Sequence, residues 1–457
     1  MQERDQLSEN NRPDHWIGIE ADYQSHSEHP ATKLYSVNRR DLAVHGLMLG
    51  ASGSGKTVAL THLIAGAILR GDSLVLIDAR GDQVNDVLSL LAGRVEPSLV
   101  KVIDLRDSSP HIGFDPLGGA GLAHKRALNV AATVKAGSES FGVQLEETLR
   151  YFLTALAEAG EPLTGLEPAF YNDAYRTWLI DHADSENVKG FLTRFHEMRD
   201  DRKATLAMPV MNKLSGVFAT RKLRAILSDR NPVNLTNHLN QDGSILLVSL
   251  AVDETADVGR MFGSLFLGCL TQTMFSRVGQ AEHQRNPVLL VLDEFSHFAS
   301  EDIASILAEG RRFRFSVICA HQTLSQVGTS LRSLILGNVG LKMAFRLGRD
   351  DAQTMSADLT GDRKALDLTR LPVGTCVVKK GNKPLVGVEI NTPIGNGGVL
   401  DHAGRVFLSK IHESHENAPY ESPVAAGQEA STPKPDQARP RKPKTEPKDS
   451  GSLEDWF

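Results

Sequence analysis

The sequence predicts an α/β protein built on a mainly parallel β-sheet, and two features of its 457 residues support this fold class. Short apolar runs alternate with segments of helical periodicity, which is the order expected when helices connect parallel strands. Most of these runs are continuously apolar, as expected for strands that helices cover on both faces. The predicted strands are Leu47–Leu49, Leu74–Ile77, Val100–Leu105, Ile245–Leu250, Val288–Leu292, Val317–Ala320 and Leu341–Phe345.

The first 40 residues are polar and contain one short strand candidate, Trp16–Ile19. Residues 41–120 and 230–395 contain the predicted strands and form the core. Between them, residues 121–229 show only helical spacing, which predicts an all-helical insertion. The insertion could serve as a lid, an oligomer contact or a substrate adaptor.

The last segment, residues 411–457, is predicted to be a disordered tail. It is rich in proline, lysine and arginine and nearly free of apolar residues, so it cannot bury enough surface to offset its ordering entropy. Its tip, Leu453–Phe457, is acidic and aromatic. The tip could dock in a pocket of a partner or simply be a solvated chain end.

The composition indicates a cytoplasmic protein. The longest apolar stretches, about eight to ten residues, are too short to cross a bilayer as a helix. The polar segment Met1–Asp14 lacks the apolar region of a signal peptide. Cys269, Cys319 and Cys376 lie far apart in apolar segments, which favours buried thiols in a reducing compartment over a disulfide or a metal site.

The run Gly50–Thr57 has the form G-x-x-x-x-G-K-T and stands between a predicted strand and the helical segment Val58–Leu69. This is the context of a P-loop, whose backbone N–H groups surround the phosphates of a nucleoside triphosphate. In this arrangement Lys56 reaches the β- and γ-phosphates and Thr57 ligates Mg²⁺. The predicted phosphate-binding residues are Gly50, Ala51, Ser52, Gly53, Ser54, Gly55, Lys56 and Thr57.

A second motif supports the first, because the apolar strand Val288–Leu292 ends in Asp293 and Glu294. Asp293 is predicted to hold Mg²⁺, and Glu294 to polarise the attacking water as general base. Two adjacent acids favour hydrolysis over phosphorylation of a small molecule, since a kinase gains nothing from activating water. The alternative is a strand that merely ends in an acidic turn.

Two further positions could complete the site. Gln322 follows the predicted strand Val317–Ala320 and could hydrogen-bond the γ-phosphate or the lytic water, or could be an ordinary loop residue. Arg311 and Arg312 stand at the end of a predicted helix. They could be a solvated cationic terminus, or could supply a guanidinium to the γ-phosphate of a neighbouring subunit.

Asp78 and Arg80 end the strand Leu74–Ile77, in a sequence that also fits a turn. Asp78 could form a hydrogen bond to a group that ligates Mg²⁺, and Arg80 could contact phosphate or DNA.

These motifs occur in a recognisable order. From about residue 40 to 395 the chain carries GASGSGKT, IDARGD, GFDPL, a helical insert, SILLVSL, LLVLDEF, AEGRRFRFSVICAHQ and ILGNVGLKMAFRLG. The set resembles the HerA/FtsK superfamily of P-loop ATPases, and within it the coupling-protein-like ATPases of conjugative type IV secretion. The resemblance implies a RecA-like core, hexamers, and ATP-driven movement of DNA through a central channel.

By position, the resemblance also implies that Lys56 and Thr57 are the Walker A pair and that Asp293 and Glu294 are the Walker B pair. Gln322 matches the glutamine after the next strand, and Arg312 or Arg311 matches the arginine proposed to act in trans. Arg346, which follows the last predicted core strand, is a second candidate for that role, or is a surface charge. The cofactors expected are ATP and Mg²⁺.

The chain also departs from the family pattern. The transmembrane helices of membrane-anchored coupling proteins, the N-terminal barrel of HerA and a DNA-reading winged helix are not evident in the sequence. We therefore expect that partners supply membrane attachment and substrate choice. A relaxase, an inner-membrane protein or a nuclease could bind through the helical insertion or the tail.

The leading hypothesis is a hexameric DNA translocase or pump that hydrolyses ATP and acts in conjugative DNA transfer. A net charge of −6 gives no overall attraction for nucleic acid, so DNA contacts must come from a local basic patch or from backbone amides. One alternative is a HerA-like motor that works with a nuclease or effector in DNA processing or phage defence. The other is an ATP-switched assembly adaptor that moves nothing.

Overall fold

The computed structural model describes residues 15–21, 34–106, 111–119, 121–136, 142–298 and 301–424. The described residues up to Glu421 belong to one compact unit, and the second unit, Ser422–Phe457, contributes residues 422–424. The predicted docking tip Leu453–Phe457 lies outside the described residues.

The strands of the described residues form one eleven-stranded sheet in the order β2-β1-β11-β10-β9-β3-β8-β7-β4-β6-β5. The strands are β1 (His15–Ala21), β2 (Leu34–Val37), β3 (Gly46–Leu49), β4 (Ser73–Asp78), β5 (Val100–Asp104), β6 (Ile245–Ser249), β7 (Val288–Asp293), β8 (Phe315–His321), β9 (Leu341–Ala344), β10 (Thr375–Lys380) and β11 (Val386–Ile390).

The sheet has a parallel part and an antiparallel part. Strands β5, β6, β4, β7, β8, β3 and β9 pair parallel in that order, and β10, β11, β1 and β2 continue the sheet antiparallel. The parallel part consists of the seven strands predicted from continuous apolar runs. Strands β3, β4, β6 and β7 are buried at every position, because helices cover both of their faces. The predicted α/β fold class is confirmed.

Seventeen α-helices are found among the described residues, and several are short. They are α1 (Arg39–Leu42), α2 (Lys56–Leu69), α3 (Asp82–Leu91), α4 (Ala123–Ala136), α5 (Val143–Ala159), α6 (Leu166–Tyr171), α7 (Asp173–His182), α8 (Glu186–His196), α9 (Asp200–Ala219), α10 (Arg221–Ser228), α11 (Leu235–Leu239), α12 (Val252–Thr255), α13 (Asp257–Phe275), α14 (Glu301–Glu309), α15 (Thr329–Asn338), α16 (Arg349–Thr360) and α17 (His402–Glu413). In the described part of the chain, no helix is both long and apolar enough to span a membrane.

Among its described residues, the insertion between β5 and β6 contains helices α4 to α11 joined by turns and loops, and no strand. Its centre is an aromatic cluster in which the ring centroid of Phe152 lies 4.4 Å from that of Phe170 and 4.9 Å from that of Phe195. All three rings are buried, so the insertion has an apolar core of its own. Helix α4 also packs against α13 of the sheet-forming part.

Both ends of the chain differ from the prediction. Residues 1–40 were expected to be a polar segment with one strand candidate, but β1 and β2 lie in this region and pair with each other and with β11. Residues 411–457 were assigned to a disordered tail, yet α17 continues to Glu413 and buries Phe407 and Ile411. These two residues are four apart and share one face of the helix, which packs on α3.

The chain after α17 is held by the insertion. The backbone N–H of Ala418 donates to Asp229 Oδ1 at 2.9 Å, and the Tyr420 hydroxyl donates to Glu161 Oε2 at 2.8 Å. The tail prediction is therefore wrong for residues 411–421, because a helix and specific side-chain contacts order this segment despite its polar composition.

Candidate functional site

The loop after β3 is fastened to the ends of two neighbouring strands. The Gly50 N–H donates to the carbonyl of His321, the last residue of β8, at 3.2 Å. The Ala51 N–H donates to the carbonyl of Arg346, just beyond β9, at 2.9 Å. The loop thus starts at the carboxyl edge of the parallel strands, where ligands of open α/β sheets bind.

The shape of this loop fits a phosphate group. Gly53 and Gly55 have φ angles of +70° and +101°, which glycine adopts without the strain of other residues. A Cβ on Gly55 would lie 2.9 Å from the Cα of Gly374, so the loop also needs glycine there for space. The N–H groups of Ser52, Gly53 and Gly55 have no partner among the described residues, and α2 begins directly after them. Free amides at a helix N-terminus are the donors that a phosphate binds.

Lys56 connects this loop to the two acids at the end of β7. Its Nζ lies 3.0 Å from Asp293 Oδ1 and 3.0 Å from Glu294 Oε1, although more than 230 residues separate them in sequence. All three side chains are buried. Burial lowers the pKa of Lys56, but the charges of the two carboxylates outweigh burial and raise it above its ordinary value. Lys56 is therefore a buried cation between two acids.

Glu294 receives two further hydrogen bonds. Gln322 Nε2 donates to Oε1 at 2.9 Å, and His321 Nδ1 lies 3.0 Å from Oε2. Burial raises the pKa of Glu294, but the hydrogen bond from His321, the charge of Lys56 and the bond from Gln322 together lower it to about 2. The group is thus a carboxylate at neutral pH and can accept a proton. Its backbone has a φ of +52°, a strained conformation of the kind that clusters at functional sites.

Asp78 ends β4 directly beside Asp293, with which it is in register. Its Oδ2 accepts the backbone N–H groups of Gln83 at 2.8 Å and Val84 at 3.2 Å, so it caps the start of α3. The Gln83 amide donates to Thr61 Oγ1 on α2 at 2.8 Å. Burial and then the charge of Asp293 raise the pKa of Asp78 to about 6. Asp78 thereby links the acid pair to the helices that follow β3 and β4.

The predicted Mg²⁺ ligands Thr57 and Asp293 flank Lys56. Thr57 is exposed on the first turn of α2, whereas Asp293 is buried and paired with Lys56. Among the described residues, no group of three or more His, Cys, Asp or Glu side chains could hold a metal ion. Mg²⁺ in nucleotide sites is held by one or two protein ligands together with phosphates and water.

Arg311 and Arg312 are not brought into this site. They lie in the turn before β8, at the amino edge of the sheet, and seven residues of strand separate them from Gln322. At about 3.3 Å per residue this separation is roughly 20 Å. Arg312 forms an ion pair with Glu309 at 3.0 Å and is 76% exposed.

Arg311 instead lines a cavity of about 370 Å³ at this amino edge. The arginines that line it are Arg39, Arg40, Arg70, Arg311 and Arg314. Glu282 also lines the cavity, and Asp72 forms ion pairs with Arg39 and Arg70, so the arginine charges are partly balanced.

The remaining predicted arginines have other positions. Arg80 is half exposed and lies 3.9 Å from Asp253, a surface pair of small energy. Arg346 is half-buried and holds the P-loop through its carbonyl group. The sequence interpretation missed His321, which stands beside Gln322 but has no spacing that distinguishes a site histidine from a core one.

One part of the chain matches a family model. Residues 287–370 match the domain described as the TraM recognition site of TraD and TraG. The segment includes β7, β8 and β9, and therefore Asp293, Glu294 and Gln322. A comparison with curated protein sequences found no match.

Solved structures extend the similarity to nearly the whole chain. The unbound monoclinic form of the bacterial conjugative coupling protein TrwBdeltaN70 matches with a TM-score of 0.58 at 16% sequence identity, covering 86% of this chain and 92% of that chain. This chain has the fold of TrwB. The complex of plasmid coupling protein TrwB with ADP and Mg²⁺ matches with a TM-score of 0.57 at 17% identity, covering 80% and 89%. VirB4 of Thermoanaerobacter pseudethanolicus matches with a TM-score of 0.51 at 13% identity, covering 84% and 98%.

Proposed function

We propose that this chain is a Mg²⁺-dependent ATPase that moves DNA in conjugative transfer. The observation that carries the proposal is the contact of Lys56 with Asp293 and Glu294 beside a loop of free amides. The TrwB fold and the match to the TraM recognition domain of TraD and TraG support the conjugative role.

Each residue of the site has a role in this proposal. The amides of residues 50–57 and the Lys56 ammonium bind the phosphates, and Thr57 and Asp293 hold Mg²⁺. Bound Mg²⁺ neutralises charge that develops on the phosphate oxygens. To reach the phosphates, Lys56 must leave the two carboxylates, which frees Asp293 for the metal and Glu294 for water. The ion pair is thus the resting arrangement of the site.

Glu294 then acts as the general base, because a buried carboxylate with a free lone pair can take a proton from water. Gln322 lies within hydrogen-bond distance of Glu294 and can orient the same water. Since Gln322 is at the end of β8, a change in its contacts is transmitted to the chain that follows the strand.

An arginine from a neighbouring subunit completes the site in this proposal. Arg311 and Arg312 lie at the amino edge of the sheet, opposite the carboxyl edge that carries the nucleotide site of their own chain. In this proposal they therefore act on the nucleotide site of another copy. Arg311 is the better candidate of the two, because Glu309 engages Arg312. This arrangement requires a ring, for which we propose a homo-hexamer.

Movement of DNA follows if hydrolysis shifts loops along the phosphate backbone, which needs no base contacts. A relaxase or a membrane protein that binds the helical insertion or the tail would then supply the substrate and recruit this chain to the inner membrane.

The test is ATP turnover by the full chain without DNA, with single-stranded DNA and with duplex DNA. We expect DNA to stimulate turnover, and Glu294→Gln to bind ATP and DNA but lose at least 100-fold in kcat. Glu146→Gln, at an exposed ion pair of the insertion, is the matched control and should leave kcat unchanged. An ATP turnover rate that DNA does not change, together with no DNA binding, would favour an ATP-switched adaptor and exclude a DNA-translocating motor.

A further inference from the structure

His321 contacts both parts of the site, the P-loop through its backbone and Glu294 through its side chain. It is the last residue of β8 and is fully buried. Its carbonyl accepts the Gly50 N–H at 3.2 Å, and its Nδ1 lies 3.0 Å from Glu294 Oε2. One residue therefore contacts both the start of the P-loop and the acid that follows β7.

The direction of the side-chain hydrogen bond follows from the chemistry of the two groups. An ionised carboxylate can only accept, so Nδ1 of His321 must carry the hydrogen. The other ring nitrogen, Nε2, is buried and has no hydrogen-bond partner among the described residues. The Nδ1–H tautomer leaves only a lone pair unpartnered there, whereas an N–H at Nε2 would be a buried donor without an acceptor. The ring also packs against Phe295, with the ring centroids 5.3 Å apart.

The two oxygens of Glu294 have different partners. Oε1 accepts from Lys56 and Gln322, both of which must turn toward phosphate or water in the proposed reaction. Among the described residues, Oε2 accepts only from His321. The His321 side chain is buried at the end of a strand and has no part in binding phosphate or water in the proposed reaction, so it need not move. When Lys56 leaves, His321 is the group that still fixes the carboxylate.

We infer that His321 is a positioning residue, whose Nδ1–H holds Oε2 of Glu294 so that Oε1 faces the attacking water. This inference rests on the proposed ATP hydrolysis. Nothing in the P-loop motif or in the acid pair requires a histidine at this position.

Two variants separate the hydrogen bond from the packing of the ring. His321→Phe keeps a ring against Phe295 but has no donor. His321→Asn loses the ring, but its Nδ2 takes the place of Nδ1 and can donate to Oε2. We expect the Phe variant to lose about 10- to 100-fold in kcat with KM for ATP unchanged, as expected for a misplaced base. The Asn variant should stay within about 3-fold of the original kcat while losing more thermal stability, because it leaves a cavity.

A purely structural role predicts the opposite, with kcat following the melting temperature and lower for Asn than for Phe. That order would overturn the inference, as would an unchanged kcat in the Phe variant. If Glu294→Gln turns over ATP normally, the proposed function itself fails, and this outcome is distinct from a failure of His321 alone.

A measurement on the nucleotide-free protein does not depend on turnover. Nitrogen-15 NMR of the imidazole rings, with the His321 signal assigned by its absence in the Phe variant, reports which ring nitrogen carries the hydrogen. We expect Nδ1 to be protonated and Nε2 to be bare. A proton on Nε2 with a bare Nδ1 would exclude the hydrogen bond to Glu294 and refute the inference.

Discussion

Lys56 is expected to stabilise the nucleotide-free protein, in addition to its role in the proposed catalysis. Its Nζ lies 3.0 Å from one oxygen of Asp293 and from one of Glu294, and all three groups are buried. Lys56→Met keeps most of the apolar stem and removes the charge. The two carboxylates then remain buried side by side without a cation between them.

The expected cost is about 3–5 kcal/mol, the range for removing one partner of a buried ion pair. We place it near the lower end, about 3 kcal/mol, because Glu294 keeps its hydrogen bonds from His321 and Gln322. Lys135→Met is the matched control, since Lys135 pairs with Glu146 at the surface. Its cost should stay below about 1 kcal/mol.

The assay is urea unfolding of the nucleotide-free protein as a double-mutant cycle of Lys56→Met with Glu294→Gln. Because the second change removes one of the two facing charges, we expect a coupling energy of about 1.5–3 kcal/mol. The folded-state pKa of Glu294 is lowered to about 2, so its contribution is complete above its ordinary value of 4.5 and is lost as the pH falls from there towards 2. A Lys56→Met variant within 1 kcal/mol of the original protein at pH 7, or a coupling below about 0.5 kcal/mol, would refute this reasoning.

Three further outcomes are expected. Gly55→Ala should abolish binding of a fluorescent ATP analogue, since its Cβ would meet Gly374, whereas Gly53→Ala, where the space is open, should only weaken binding; equal affinities would contradict this. Burial raises the folded-state pKa of Asp115 to about 6, so its ionisation lowers stability as the pH rises from 3.8 to 6. The stability of Asp115→Asn relative to the original protein, measured by urea unfolding, should therefore increase by about 2–3 kcal/mol as the pH rises from 3.8 to 6. A stability difference that does not change with pH would contradict the assignment of this effect to the buried Asp115 carboxyl. Arg277 is buried and donates to the backbone carbonyls of Leu239, Asn286 and Phe313, which belong to three separate segments of the chain. Arg277→Met leaves these carbonyls without their donor and should cost about 3 kcal/mol or more, and a melting temperature within about 2 °C of the original would exclude this.

The sequence was sufficient for the parallel part of the sheet and for the meeting of Lys56 with the acid pair. Strands buried on both faces leave continuous apolar runs, and the carboxyl ends of parallel strands lie at one edge. Position along a strand also separates Gln322 from Arg311, because one follows β8 and the other precedes it.

The antiparallel part could not be predicted in the same way. Strand β2 has only four residues, and β10 ends in Lys379 and Lys380, so neither forms a long apolar run. The ordered segment up to Tyr420 depends on contacts with Glu161 and Asp229 that no local pattern encodes. The role inferred for His321 likewise depends on a contact with Glu294, which is distant in sequence.

The position of β3 in the sheet has a consequence for synthesis of the chain. Its neighbours are β8, which pairs through residues 318–321, and β9, which pairs through residues 341–344. Both lie far downstream of the P-loop in sequence. While the ribosome translates the intervening region, the loop that would hold phosphate has neither of the strands that fix its start. A nascent or prematurely released chain therefore carries the P-loop sequence without the strands that position it, and the site can form only when most of the protein has been made.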